Sequence, residues 1–547
     1  MLKKTPTGLM DYTEMKVNNY YVVDKTLLIK DFLDYGKKVT LITRPRRFGK
    51  TLNMSMMSEF FDITKDSKEI FKGTKIMDTP YAKEMNQWPT IFISFADAKR
   101  DRESVINTIK SELQNQWDKY NFVFNNLSGF KKTRYDYLYK ILADLNGDLI
   151  GINNALKFLM DQMQAYYKKE VMVFIDEYDT PFIEAHVNNF YDDIVGGLSG
   201  LLHNSLKTSK SLKYAMLTGI QRVAKENIFS DLNNLIVCDV TDNRFASYFG
   251  FTEDETKDIL EYYGFELTEQ VKNMYDGYKI GEVDIYNPWS ILSYIDTKKL
   301  TPHWVKISAN DMIKIAMNKA DYNFNVGFKT LITNGSLNTI VNLETSFYEM
   351  SNTPSLWGLF VNAGYLTVER VIDPWQNQCV IKIPNKEVRQ EFISLTEYFL
   401  SLNEGQLVNV IQLLIDEKLD EFTSSYENIL MLPSYHDLLN ENSYHMMVLG
   451  MSICLIDQYD IKSNREEGKG RCDIVLQSKS VNKPSFVLEF KYLKTDKKDI
   501  KEDLNDLANK AIQQIKDNKY DYDLTGKIIY IGLAHRGKDV SIKWEEK

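Results

Sequence analysis

The chain has 547 residues, a formal net charge of −9, 44% hydrophobic residues and 26% charged residues. That length exceeds one ordinary core and predicts two to four domains, and the acidic balance argues against a general nucleic-acid coat without excluding a segregated basic region. No apolar run approaches the ~20 residues that span a bilayer, the start lacks a secretory signal's apolar core, and four scattered cysteines without C-x-x-C spacing argue against a zinc site or disulfide framework. The expectation is a cytoplasmic protein with no membrane partner.

The first informative stretch is K-V-T-L-I-T-R-P-R-R-F-G-K-T from Lys38 to Thr51. A β-branched apolar run reads as a buried strand, and T-L-N-M-S-M-M-S-E-F-F after it places Leu52, Met56 and Phe60 at helical spacing. Strand, loop and helix are the context a phosphate-binding loop requires. Gly49 gives the turn into the helix. The helix N-terminus directs N–H groups at an anion, Lys50 supplies a point charge, and Thr51 is placed to hold Mg²⁺. The pattern G-x-x-x-x-G-K-[ST] asks for glycine at its first position, where this chain has Arg44. Arginine does not reach φ > 0 cheaply, so the loop must begin with a different turn. Arg44, Arg46 and Arg47 are expected to add charge near the phosphates; a solvated basic loop is the plain alternative.

P-T-I-F-I-S-F-A-D around Phe92 predicts another strand. V-M-V-F-I-D-E-Y-D-T-P then gives a continuous apolar run from Val171 to Ile175, as in a parallel strand covered on both faces. It ends in Asp176, placed to hold Mg²⁺ through water, and Glu177, placed to orient an attacking water. K-Y-A-M-L-T-G-I-Q-R-V predicts a strand ending at Thr218, where a hydroxyl could sense a terminal phosphate, with Gln221 and Arg222 just beyond. Strands alternating with helical segments predict a parallel α/β sheet with its ligand at the carboxyl ends of the strands.

From Phe251 the pattern changes. T-E-D-E-T-K-D-I-L-E-Y-Y predicts a helix capped by Thr252. S-L-W-G-L-F-V-N-A-G-Y-L-T-V-E-R-V, D-P-W-Q-N and C-V-I-K-I-P read as helix, strand, turn and strand, a winged-helix-like order that serves more often as a packing lid than as a nucleic-acid reader. The stretch 385–432 reads as helical. The domains predicted are 1–250, 251–384 and 385–547.

Residues 441–547 carry 19 Lys+Arg and 18 Asp+Glu, so this part is +1 and the remainder −10. C-D-I-V-L-Q and F-V-L-E-F-K-Y predict two strands joined by a polar turn. Period-two alternation puts Glu489 and Lys491 side by side, and Asp473 lies near the start of the first strand. Two carboxylates to hold Mg²⁺ and an ammonium to orient or deprotonate water are the groups that metal-assisted phosphodiester hydrolysis needs. A surface hairpin with a cross-strand salt bridge is the bland alternative. L-N-D-L-A-N-K-A-I-Q-Q-I-K places Leu504, Leu507, Ala508, Ala511, Ile512 and Ile515 on one helical stripe, and G-K-I-I-Y-I-G-L-A predicts a final strand.

N-N-Y-Y-V-V-D-K-T-L-L-I-K-D-F-L, I-T-R-P-R-R-F-G-K-T, V-M-V-F-I-D-E-Y-D-T-P and L-T-G-I-Q-R-V together resemble the AAA-ATPase-like family, itself similar to P-loop NTPases of the AAA and STAND kind. That family's loop also has arginine at the first glycine position, and its bacterial members carry a C-terminal nuclease-like domain. The tail resembles the PD-(D/E)XK nuclease superfamily. This second resemblance implies that Glu441 is an additional acid on the first helix and that Gln514 is the glutamine following the E-x-K strand. Together they imply an ATP- and Mg²⁺-using ATPase, with Lys50, Thr51 and Asp176 at the nucleotide, and a nuclease working through Asp473, Glu489 and Lys491. The partner is nucleic acid, with DNA favoured; homo-oligomerisation is compatible, and defence or mobile-element biology is the analogous setting. The alternative is a STAND-like nucleotide switch whose nuclease fold binds without cutting.

Overall fold

The computed structural model describes residues 2–145, 147–223, 235–304, 322–345, 352–399, 405–431, 441–452, 455–456, 458–467, 470–493 and 503–547. The chain forms two compact units, Met1–Ala316 with Asn338–Glu387, and Met317–Leu337 with Val388–Lys547.

In the first unit, strands β1 (Val39–Thr43), β2 (Thr90–Ser94), β3 (Val171–Asp176), β4 (Leu212–Gly219) and β5 (Leu235–Cys238) form a wholly parallel sheet in the order β2-β3-β4-β1-β5. Its central strands β1 and β3 are buried along their whole length, which is why they read as unbroken apolar runs rather than alternating ones. The pleat divides β3 between two cores. Val171, Val173 and Ile175 pack into one layer, while Met172 and Phe174 enter the other beside Met54, Met57 and Phe61. Burying one such side chain contributes about 1.5–3 kcal/mol.

The helices of this unit that position its site or surface are α1 (Tyr12–Val17), α2 (Lys50–Phe61), α3 (Arg102–Lys119), α4 (Gly129–Ala143) and α5 (Thr180–Val187). They are followed by α6 (Glu253–Tyr262), α7 (Pro288–Thr297) and α8 (Thr353–Ala363). Helix α6 starts in a full capping box between Thr252 and Glu255. Helix α8 leads into an antiparallel hairpin of β6 (Thr367–Asp373) and β7 (Gln378–Lys382), the helix–strand–strand order read from the sequence.

In the second unit, β8 (Tyr459–Glu467), β9 (Gly470–Ser478), β10 (Ser485–Tyr492), β11 (Ile528–Arg536) and β12 (Asp539–Glu546) form one sheet in that order. Only the β10–β11 pair is parallel. Helix α9 (Glu441–Ser452) precedes the sheet, and α10 (Leu504–Asn518) connects the parallel pair. The stripe predicted for α10 is its inner face: Ala508, Ala511, Ile512 and Ile515 are buried. The helix lies against β11 at Gly532, where a Cβ would stand 2.1 Å from the Ala508 carbonyl oxygen. The outer strands β8 and β12 have no counterpart among the predicted elements. Their stretches D-I-K-S-N-R-E-E and D-V-S-I-K-W-E-E are dense in charge, as suits strands at the edges of a sheet.

No helix among the described residues is long and apolar enough to cross a membrane. Cys238, Cys379 and Cys472 are buried and form no disulfide among the described residues.

Candidate functional site

The first cluster forms where β1, β3 and β4 end. Gly49 takes a left-handed conformation at φ 78° and opens α2 at Lys50. Lys50 is buried, and its Nζ donates to the carbonyls of Arg44 at 3.0 Å and Pro45 at 2.9 Å. Burial pushes the ammonium down, and the carboxylates of Glu177, Asp176 and Asp179 oppose that. Thr51 donates its hydroxyl to one oxygen of Asp176 at 2.7 Å, and Thr218 donates to the other at 2.5 Å. The register explains the meeting: β4 lies between β1 and β3, so a carboxylate at the tip of β3 sits beside Thr218 and within reach of the loop after β1. Asp176 is fully buried, and that burial raises its pKa. Glu177 follows in a left-handed conformation at φ 49°, and its carboxylate accepts from Thr180 Oγ1 at 2.9 Å at the start of α5. A non-glycine residue held there at a strand end is locally strained.

A cavity of about 380 Å³ opens beside this cluster. Arg47, Lys50, Thr51, Asn53 and Glu177 are among its polar lining, and Leu9, Val22, Val23, Phe251, Trp289 and Leu292 are among its apolar lining. Concave, mostly apolar space with a few placed polar groups is the usual form of a small-molecule site. The donor set fits a nucleotide with its cation: an ammonium and a helix N-terminus for phosphates, a threonine hydroxyl and an aspartate for Mg²⁺, and apolar wall for a base.

The arginines divide. Arg47 adopts φ 68°, lines the cavity, and lies 4.2 Å from the centre of the Trp289 ring. Arg44 does not face the cavity. The expectation that it adds charge at the phosphates is corrected here: it is fully buried, and its Nη1 donates at 2.8 Å to the carbonyls of Thr43, Cys238 and Asp239. Its Nη2 reaches the Arg244 carbonyl at 3.4 Å, and its backbone N–H donates to Gly219 at 3.1 Å. The carbonyls at the end of β5 attract the guanidinium more strongly than an exposed loop could. Burial brings it down to about 10, still charged at neutral pH. Arg44 therefore ties the start of the loop to β5, and the left-handed turns fall at Arg47 and Gly49 instead.

Asp179 escapes the sequence reading. Its position just before α5 reads as a helix cap, yet its Oδ2 accepts from the backbone N–H groups of Ile220 at 2.9 Å and Gln221 at 2.8 Å. Burial raises it to about 6. Tyr178 supports the same segment: its hydroxyl donates to the Gln221 carbonyl at 2.8 Å and accepts from Val223 N at 2.9 Å. The end of β3 and the chain beyond Thr218 are thus one hydrogen-bonded assembly.

The second cluster lies in the second unit. The β9–β10 ladder runs to Ile474–Leu488. Beyond it, the Asp473 carboxylate accepts the Phe490 N–H at 2.8 Å. Glu489 is 3% exposed, and one of its oxygens accepts from Lys491 Nζ at 3.0 Å and Gln514 Nε2 at 2.5 Å. The close approach of α10 at Gly532, the register partner of Glu489, brings Gln514 over that carboxylate. Burial first and the Asp473 charge second raise Glu489 to about 7. Its second oxygen, Oε2, is buried without a hydrogen-bond partner among the described residues. A buried, unpaired carboxylate oxygen near a second carboxylate fits a divalent cation. His445 of α9, which no sequence motif marks, has Nε2 3.0 Å from the Asp473 carbonyl. Glu441 opens α9, but its side chain lies outside the described residues.

Residues 6–229 match the family model described as "Predicted AAA-ATPase", and residues 439–545 match that of the PD-(D/E)XK nuclease superfamily. The chain therefore carries an AAA-ATPase-like domain at its N-terminal end and a PD-(D/E)XK nuclease superfamily domain at its C-terminal end. It is also 24% identical over 422 residues to an "Uncharacterized protein in vnfD 5'region" of Azotobacter chroococcum mcd 1, covering 75% of this chain and 71% of that protein.

Proposed function

We propose that this protein is an ATPase whose nucleotide state controls a Mg²⁺-dependent nuclease. The observation that carries the nucleolytic half is Glu489, a buried carboxylate with one oxygen held by Lys491 and Gln514 and the other unpaired. A structural salt bridge gains nothing from a buried, unsatisfied oxygen, whereas a metal ligand requires one. Asp473 and Glu489 hold the cation, which when bound supplies Lewis-acid polarisation of the scissile phosphate. Lys491 orients the attacking water, and Gln514 fixes the Glu489 rotamer.

In the first unit, Lys50, Thr51 and Asp176 hold ATP with its Mg²⁺, Thr218 and Arg47 stand at the edge of that site, and Glu177 orients the hydrolytic water. DNA is the favoured substrate, the setting is cytoplasmic, and the domain pairing supports a role in defence or mobile-element biology. Full-length protein incubated with plasmid DNA and Mg²⁺ or Mn²⁺ tests the reading. Lys491→Ala is expected to lose cleavage and keep ATP turnover, and Lys50→Ala to lose nucleotide binding. Wild-type protein that cuts neither DNA nor RNA with either metal would reject the nuclease and leave a non-cleaving nucleotide switch.

A further inference from the structure

Helix α4 is an unusual surface for an acidic protein. Its 15 residues contain Lys131, Lys132, Arg134 and Lys140 against the single acid Asp136, four positive charges less one, or +3, in a chain of −9. Among the described residues the helix's one ion pair is Lys132 with Asp136, which leaves Lys131, Arg134 and Lys140 exposed and unneutralised. The aromatics are exposed as well: Phe130 95%, Tyr137 58% and Tyr139 55%. Single exposed apolar residues need no explanation, but three rings interleaved with cations on one helix do.

Tyr139 is not a loose side chain. Its ring stacks on Tyr135 at 5.8 Å, Tyr135 on Trp117 of α3 at 5.6 Å, and Trp117 on Phe158 at 5.9 Å. A column of rings therefore rises from the core of the first unit and ends at the surface in Tyr139. Lys132 adds a cation 4.9 Å from the centre of the Tyr135 ring in the same column. Held this way, Tyr139 presents a rigid face beside cationic side chains, which is what a stacked base with its phosphate requires.

We infer that α4 binds a single-stranded nucleic acid, with Lys131, Arg134 and Lys140 on the phosphates and Tyr139, Tyr137 and Phe130 stacking on bases. An anionic membrane surface is the competing partner for a helix with aromatics and lysines. It demands a free apolar face segregated from a charged one. The apolar side of α4, Leu138 and Leu142, is already buried in the core, and the exposed rings alternate with the cations. That arrangement matches nucleic acid. A polynucleotide ligand is in keeping with the nuclease reading, but the α4 site is built from residues of the first unit alone.

The test is fluorescence anisotropy of a labelled 20-nucleotide single strand with the full chain in EDTA, titrated over a range of salt. The variants are K131E/R134E/K140E and, separately, F130A/Y137A/Y139A. Each is expected to weaken binding at least tenfold. The charge variant is also expected to flatten the log Kd against log salt slope by about 2, from ~0.7 per cation lost. Circular dichroism and ATP binding at the wild-type level would show that both variants fold. Wild-type affinity and slope in the charge variant, or no binding of the strand by the wild-type protein, would overturn the inference. So would binding to phosphatidylserine vesicles that is lost with the same charges while strand binding remains. A parallel cleavage assay of the wild-type protein with Mg²⁺ separates this reading from the nuclease: α4-dependent binding without any wild-type cleavage would reject the nuclease alone, and cleavage without α4-dependent binding would reject the α4 site alone.

Discussion

Glu489→Gln is expected to stabilise the metal-free protein while abolishing metal-dependent cleavage. The carboxyl rises from its ordinary 4.5 to about 7, because burial and Asp473 disfavour the charge. Moving a pKa by one pH unit corresponds to about 1.36 kcal/mol, so ionised Glu489 destabilises the fold by about 3 kcal/mol above pH 7. The sign follows from the folded pKa lying above the unfolded one. The folded state binds the proton more tightly, its stabilising contribution is complete below pH 4.5, and it is lost as pH rises through 7. Glutamine keeps the acceptor for Lys491 and Gln514 and removes the charge. Urea and thermal unfolding in EDTA at pH 8 should show the second unit's transition raised by roughly 6–12 °C, at 2–4 °C per kcal/mol for a unit of this size. At pH 5 the gain should shrink to about 1 kcal/mol or less. Added Mg²⁺ should stabilise the wild type and leave the variant unchanged. A variant destabilised at pH 8, or a gain that does not depend on pH, would refute the view that Glu489 is a buried charge awaiting a cation.

Arg44→Lys keeps the charge but reaches fewer of the four carbonyls, so denaturation should show a loss of about 1–3 kcal/mol, with ATP affinity close to wild type where the protein is folded. A loss of ATP affinity as large as that of Lys50→Ala would return Arg44 to the phosphates. Glu177→Gln should retain ATP and slow turnover by about 10²-fold or more; turnover at the wild-type rate in a steady-state phosphate-release assay would make Glu177 structural. Asp179→Ala strands the N–H groups of Ile220 and Gln221 in a buried site and should lower stability by about 2 kcal/mol or more, and an unchanged unfolding midpoint would contradict that role.

Local signals carry much of what the sequence reveals. The loop after β1, the acid at the tip of β3 and the E-x-K run on β10 are legible because each lies on, or follows, a strand buried enough to leave an apolar run. What local pattern does not carry is the destination of side chains that cross between elements. Arg44 is decided by carbonyls at Cys238 and Asp239, nearly two hundred positions along the chain. Asp179 looks like a helix cap until β4 is laid beside it. The strands β8 and β12 are hidden by the charge that suits them to sheet edges. The column from Phe158 to Tyr139 joins separate helices and has no signature in any one of them.

The proposed control of one site by the other requires ATP to favour one arrangement of the chain over another. The direct measurement is the nucleic-acid cleavage rate of the full-length protein with Mg²⁺ as ATP is raised from zero, in wild type and in Lys50→Ala. A tenfold change in rate would correspond to about 1.4 kcal/mol of coupling. The account predicts that the wild-type rate changes with ATP and saturates at the concentration that fills the nucleotide site, while the Lys50→Ala rate stays flat. Cleavage by Lys50→Ala that matched wild type at every ATP concentration would contradict it.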